Sequence, residues 1–218
     1  MSDIIHCSYS CLSCLNTCSK KFQYAYEESL IPIVSNRAPL DFGNAIHKGL
    51  EVMYIERDLN KALEAYEKLY KELQVQDMLR TLVCGHQMLE EYYKINFPLM
   101  DIVSGVEQTI REEIMPKVVY TAKVDLFGIK SDGATFVTDH KTTTRMGTFV
   151  VNPEHQMTGY LYITGAKIGY YNFLGVYAAS SKKKSADKFA RYETSRSEKD
   201  FADWKEFVKD SVERIKGY

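Results

Sequence analysis

The sequence predicts an α/β fold, and three observations predict it. The stretch from Val118 to Thr144, VVYTAKVDLFGIKSDGATFVTDHKTTT, reads as two β-branched and aromatic runs around Ser131-Asp132-Gly133, where Gly133 can take the positive φ of a short hairpin turn. Three further β-rich runs flank it: residues 102–114, YYNFLGVYAA and FARYETSR. Segments with apolar residues at helical spacing precede, separate and follow these runs.

The chain has 218 residues, 45% of them hydrophobic and 26% charged, which is ordinary for one globular domain and enough to bury a substantial core. A single domain over residues 1–218 is therefore expected. No apolar run approaches the roughly 20 residues of a membrane span. The N-terminus, MSDIIHCSYS, lacks the basic segment and apolar core of a secretory signal. A soluble, cytoplasmic protein with no membrane contact is expected. The net charge of −1 gives no overall attraction to nucleic acid, so any such contact must come from a local patch.

Residues 8–28 carry the first helical pattern. Four of the five cysteines, Cys7, Cys11, Cys14 and Cys18, fall on or beside it, with Cys84 later, and the odd count fits reduced thiols rather than a disulfide framework. On one helix Cys7 and Cys18 would stand about 16 Å apart at ~1.5 Å per residue. One tetrahedral zinc, with bonds of roughly 2.3 Å, could not gather all four. They read as small apolar residues on a packed stripe, with a metal-binding regulatory module as the lesser alternative.

Pro32 and the run from Ser35 to Pro39 break the chain, and Asp41 then reads as the N-cap of FGNAIHKGLEVMYIE, whose stripe holds Gly43, His47, Leu50 and Tyr54. Two more amphipathic helices follow at about 58–97, NKALEAYEKLYKELQ and DMLRTLVCGHQMLEEYYKIN, with Pro98 ending the second. After the hairpin, Thr142 to Pro153 is a loop holding Arg145 and Gly147, and PEHQMTGYLYITGAKIG then sets Gln156 and Tyr160 one helical turn apart. The polar loop SSKKKSADK brings together Lys182, Lys183 and Lys184. Such a loop is ordinarily a solvated tip; against nucleic acid it would touch phosphates and make binding salt-dependent. Ser197 caps a last helix whose buried stripe is Phe201, Trp204, Phe207, Val208 and Val212.

A three-residue hairpin loop sets Asp125 opposite Asp139 and Lys123 opposite Lys141, and the two-residue period puts all four on one face. Opposed carboxylates weaken a sheet unless something compensates, and a divalent cation would. Charged strand faces are commonly solvated and screened by their own lysines. Here Phe127, Ile129 and Val137 share the face, so partial burial is expected, and unpaired charge is costly there.

An acid, then an acid, any residue and lysine on neighbouring strands, here Asp125 and Asp139-His140-Lys141, resembles the PD-(D/E)XK phosphodiesterase pattern. The likeness is to its RecB-like branch, which includes the CRISPR-associated RecB-like nucleases and many phage exonucleases. Other pieces fall in order along the chain. Ser10, Leu12, Cys18, Lys20, Lys21 and Phe22 resemble the branch's opening helix; Gly43-x-x-x-His47 resembles its histidine motif; Gln156-x-x-x-Tyr160 resembles the motif on the helix after the lysine strand. Glu107 matches a glutamate that many members carry upstream of the motif aspartate, whereas Ala122 stands where the family often has glycine. Each motif is weak alone, but the ordered set is specific.

The resemblance implies a restriction-endonuclease-like fold, a central mixed β-sheet flanked by α-helices, with the helices at about 58–97 as an insertion forming one wall of the cleft. It implies Mg²⁺ or Mn²⁺ held by His47, Asp125, Asp139 and the backbone carbonyl of His140, with Glu107 as a secondary site residue; the imidazole suits Mn²⁺ better. Lys141 would position or help deprotonate the attacking water beside Asp125 and Asp139, its proton affinity lowered by the metal. Gln156, Tyr160 and the three loop lysines would meet DNA. Some members build an iron–sulfur cluster from one N-terminal cysteine and three near the C-terminus; no cysteine follows Cys84, so no such cluster is expected. The function implied is a metal-dependent DNA nuclease, an exonuclease acting on ends or single strands, with helicase, recombinase or CRISPR adaptation proteins as partners. The alternative is a non-catalytic nucleic-acid-binding or assembly subunit, against which the intact Asp125, Asp139 and Lys141 set speaks.

Overall fold

The computed structural model describes residues 4–32, 36–96, 102–147 and 154–216. Among them, six strands join one mixed sheet: β1 (Ile5–Ser8), β2 (Ile102–Met115), β3 (Val118–Ile129), β4 (Thr135–Thr143), β5 (Ile168–Gly175) and β6 (Phe189–Thr194). The β3–β4 hairpin closes as its turn residues dictate. Gly133 takes φ +83°, its N–H donates to Lys130 O at 2.9 Å, and Lys130 N–H donates to Ala134 O at 2.8 Å. The ladder from Ile129↔Thr135 to Leu126↔Thr138 keeps the register of a three-residue loop.

β2 runs antiparallel along the whole of β3, so β1 and β4 must share the other edge. β1 lies parallel to Val118–Thr121, and β4 antiparallel to Leu126–Ile129. Between these stretches the edge of β3 is a fork. β4 then pairs in parallel with β5, and β5 antiparallel with β6. β1 has no signature in the sequence, because four residues give too little alternation to see.

Side-chain alternation changes phase at the fork. Val118, Tyr120, Ala122 and Val124 enter one core and Phe127 packs on that same core, yet Leu126 enters the other. A uniform two-residue period cannot do this. β2 changes phase at the matching place, with Ile110 and Ile114 on the first core and Val106 on the second. Between them Glu107 takes φ +49°, a left-handed conformation that few residues other than glycine adopt, and the pairs Gln108↔Val124 and Val106↔Leu126 bracket Glu107 and Asp125. The expectation that Asp125 pairs with Asp139, and that both share one face with Lys123 and Lys141, is therefore corrected. The β3–β4 ladder ends at Leu126↔Thr138; Lys123 pairs with Glu107, while Lys141 bonds to Asp139 and Gln156 on the opposite face.

The helices form two layers. On one face α1 (Tyr9–Thr17), α6 (His155–Thr164) and α7 (Glu198–Lys216) bury Leu12, Met157, Leu161, Trp204 and Val208. On the other, α3 (Ala38–Glu56), α4 (Leu59–Glu72) and α5 (Leu82–Asn96) bury Phe42, Ile46, Leu50, Tyr66 and Leu89. The short α2 (Ser19–Phe22) runs into a π-helical turn at Gln23–Glu27. The α/β class, with a central mixed sheet flanked by helices, is the one expected.

Several element bounds differ from expectation. The helix over 8–28 breaks at Cys18, which is extended at φ −162° and ψ 109°, and Cys7 lies on β1, so the four cysteines do not share one helical stripe. Asp41 is not an N-cap. α3 starts at Ala38 because Pro39 is well placed in a first turn, where no amide hydrogen is needed, and Asp41 sits one turn in, 3.4 Å from Arg37. α5 starts at Leu82 rather than near Asp77, whose carboxylate instead accepts the N–H groups of Leu79 and Arg80 and folds that stretch into a turn. The cap of α7 is as read: Ser197 and Asp200 exchange hydrogen bonds across its first turn. The breaks assigned to Ser35, Pro98 and Pro153 lie outside the described residues. Among the described residues no helix is long and apolar enough to cross a membrane.

The left-handed φ of Glu107 makes a test of the kink. Glu107→Gly should be more stable than Glu107→Ala by about 1 kcal/mol in urea unfolding, because only the alanine carries a Cβ into that conformation. Equal stabilities would mean that residue 107 is not held there.

Candidate metal centre and active site

Three ligand-bearing side chains converge at the fork. His47 comes from α3, Glu107 from the kink of β2 and Asp125 from β3, and one ligand atom from each lies within 4.8 Å of the others. His47 Nδ1 is 3.5 Å from Asp125 Oδ1 and 3.7 Å from Glu107 Oε1. Its other nitrogen, Nε2, donates to the His140 carbonyl oxygen at 2.9 Å. Both ring nitrogens thus face acceptors. The cleft above them, about 480 Å³, is also lined by Asn44, Lys48, Glu51, Leu69 and Lys123.

The electrostatics follow from that packing. Burial alone would lower the His47 pKa, but hydrogen bonding and charge from Asp125 and Glu107 raise it to about 10, so the ring is an imidazolium. Burial works against ionising Glu107 and Asp125, yet His47 holds both carboxyls below their ordinary range, helped by Lys123 at Glu107 and by the His140 N–H at Asp125. A proton on His47 therefore does what a cation would do between two buried carboxylates. One imidazole and two carboxylates are a donor set that a divalent ion accepts, so the residues fit such a group.

Asp139 and Lys141 project from β4 to the other face. Lys141 Nζ donates to Asp139 Oδ1 at 3.0 Å and to Gln156 Oε1 at 2.9 Å, and Gln156 Nε2 donates to Tyr160 Oη at 2.8 Å. Asp139 is only 3% exposed. Burial pushes its carboxyl up to about 6 against the pull of the Lys141 ammonium, with Asp125 adding to the rise. Burial would strip the proton from Lys141, but Asp139 keeps it, and the lysine pKa is raised. In the absence of metal Lys141 is thus a cation.

Asp125 joins the two groups. Its Oδ2 accepts the backbone N–H of His140 at 2.6 Å, just past the point where the β3–β4 ladder ends. The His140 imidazole turns away from the cleft into the core, 2% exposed, where burial lowers its pKa to about 3.

Tyr160 is buried behind Lys141 rather than displayed on a surface. Lys182, Lys183 and Lys184 are exposed on the loop after β5, with Lys183 Nζ 4.5 Å from the ring centroid of Tyr177. That loop leaves the same end of the sheet as Lys141, since Val176 N–H donates to Thr143 O at 2.7 Å. The cysteines are free, and burial pushes the Cys7 thiol up to about 12. Among the described residues no three cysteines converge as metal ligands. Lys123 was seen in the sequence only as part of a charged face; the signal missed was Glu107 beside it on the neighbouring strand.

The sequence profile of the PD-(D/E)XK nuclease superfamily matches residues 6–218. No curated protein sequence matches the chain. Among solved structures, a protein from Eubacterium rectale carrying an exonuclease assignment superposes with a TM-score of 0.56 at 10% identity, covering 95% of this chain and 79% of its own. An alkaline exonuclease from Laribacter hongkongensis gives a TM-score of 0.43 at 11% identity, over 79% of this chain and 87% of its own. A phage-related exonuclease from Haemophilus somnus gives 0.40 at 12% identity, over 70% of this chain and 78% of its own. A profile match that runs from β1 through the last helix decides the family: the chain belongs to the PD-(D/E)XK nuclease superfamily.

Proposed function

We propose that this chain is a metal-dependent deoxyribonuclease of the RecB-like kind, an exonuclease that acts on DNA ends or single strands with Mn²⁺ or Mg²⁺. The observation that carries the reading is the meeting of His47, Glu107 and Asp125 at the fork of the sheet, with the Asp139–Lys141 pair on the adjoining strand. The exonuclease mode rests on the ordered motif set and is supported by the exonuclease assignment of the Eubacterium rectale neighbour.

His47, Glu107 and Asp125 would hold the ion, with Asp139 and the His140 carbonyl beside them. A bound divalent ion supplies Lewis-acid polarisation of a phosphate and a lowered pKa for a bound water. The protein's own groups do the rest. Lys141, kept charged by Asp139 and fixed by Gln156, offsets charge on the phosphodiester and orients the attacking water. Tyr160 holds Gln156 in place. Lys182, Lys183 and Lys184 offer a salt-sensitive hold on the DNA backbone.

Two outcomes are expected. Mn²⁺ at about 100 times its Kd should raise the Tm of the wild type by roughly 5–10 °C. Glu107→Gln and Asp125→Asn should lose most of that shift and Lys141→Met should keep it; equal shifts in all four proteins would place the ion elsewhere. End-labelled linear DNA should be degraded with Mn²⁺ or Mg²⁺ but not with EDTA, closed circles should survive, and Asp139→Ala and Lys141→Ala should each abolish cutting. Cutting of circles would mean an endonuclease, and a wild type that binds DNA without cutting would mean a non-catalytic subunit.

A further inference from the structure

A polar network lies inside the core behind the metal group. His140 is 2% exposed, Asn172 1% and Tyr92 0%. Asn172 stands directly across from His140 in the parallel β4–β5 ladder. Its Nδ2 donates to His140 Nδ1 at 2.9 Å and to Tyr92 Oη at 2.8 Å, and the Tyr92 and Tyr54 hydroxyls bond to each other. An amide nitrogen only donates, so Nδ1 of His140 accepts and its ring proton sits on Nε2. The rings of Tyr54 and Tyr92 close around the imidazole, with centroids 5.8 and 6.2 Å from it.

Stability alone gives no reason for this arrangement. His140 Nε2 and Asn172 Oδ1 are buried without a hydrogen-bond partner among the described residues, which is costly, and apolar side chains of similar size would avoid that cost. The backbone of His140 supplies a reason. At this residue β4 has left its ladder with β3, and its N–H goes to Asp125 Oδ2 while its carbonyl takes the His47 Nε2 proton. Both partners belong to the metal group. On that edge the peptide is tied to side chains that must also serve an ion, and on the opposite edge it is backed by β5 and Asn172.

We propose that Asn172, backed by Tyr92 and Tyr54, is a positioning residue that clamps the His140 imidazole and thereby fixes the peptide group that orients Asp125 and His47. The middle residue of Asp139-His140-Lys141 is then part of the machinery through its side chain, not a spacer. The catalytic consequence rests on the nuclease reading; the clamp itself does not. A polar residue inside the otherwise apolar run Tyr170-Tyr171-Asn172-Phe173-Leu174 is the sequence signal for it.

The test uses metal-free, ¹⁵N-labelled protein and then Mn²⁺ alone. In wild type the His140 amide proton should resonate far downfield, because its hydrogen bond to a carboxylate is short. Asn172→Leu should move it upfield, weaken Mn²⁺ binding measured by electron paramagnetic resonance 10- to 100-fold, roughly the usual effect of removing such a support, and lower kcat while KM for DNA stays constant. Tyr92→Phe removes the hydroxyl that holds the Asn172 amide behind His140 and should weaken Mn²⁺ binding roughly fivefold, a second test should Asn172→Leu fail to fold. A folded variant that loses only thermal stability, with amide position and Mn²⁺ affinity as in wild type, would overturn the clamp while leaving the nuclease reading intact. A wild type that neither binds Mn²⁺ nor cuts, but whose His140 amide still moves in Asn172→Leu, would support the clamp and overturn the nuclease reading.

Discussion

Where the β3–β4 ladder ends, a carboxylate takes over from the backbone. Asp125 Oδ2 accepts the His140 N–H at 2.6 Å, and Oδ1 of the same group faces His47 at 3.5 Å. A hydrogen bond to a charged group contributes about 1.5–3 kcal/mol, so the bond can stand in for the pairing that the fork gives up. Its second effect is directional. Freed from β3, β4 sends Asp139 and Lys141 toward α6 and its His140 carbonyl toward α3. One side chain thus splices the sheet and joins the two halves of the site.

The charges around it explain how the site survives without an ion. Three carboxylates, Glu107, Asp125 and Asp139, are balanced by three cations, His47, Lys123 and Lys141. Buried charge is tolerated because each group has a partner. Exchanging the His47 proton for a divalent ion would leave the group with one excess positive charge. That is the polarity a phosphodiester requires, in a chain whose overall charge of −1 offers no such attraction. The left-handed backbone at Glu107 is the strained feature that brings a β2 side chain into this balance, and such strain commonly persists at functional sites.

The sequence made part of this legible. The hairpin register was readable because Gly133 restricts the turn, and His47, Asp125, Asp139, Lys141, Gln156 and Tyr160 were readable as an ordered motif set. The phase change at Glu107 and Asp125 was not, because glutamate has no preference for positive φ and alternation rules assume an unbroken strand. Glu107 therefore read as a secondary residue, although the structure sets its carboxylate beside those of the metal group. The break at Cys18 and the start of α3 at Ala38 were not legible either: the helical pattern continues across Cys18, which is extended, and the capping preference of Asp41 hid the earlier first-turn signal of Pro39. Asn172 was hidden within a strand that the sequence marked only as strongly β.

The most direct measurement is anomalous diffraction from crystals of the protein soaked in Mn²⁺. One strong peak is expected in contact with His47, Glu107 and Asp125, with the His140 N–H still bonded to Asp125. A peak at the N-terminal cysteines, or none at the fork of the sheet, would contradict it.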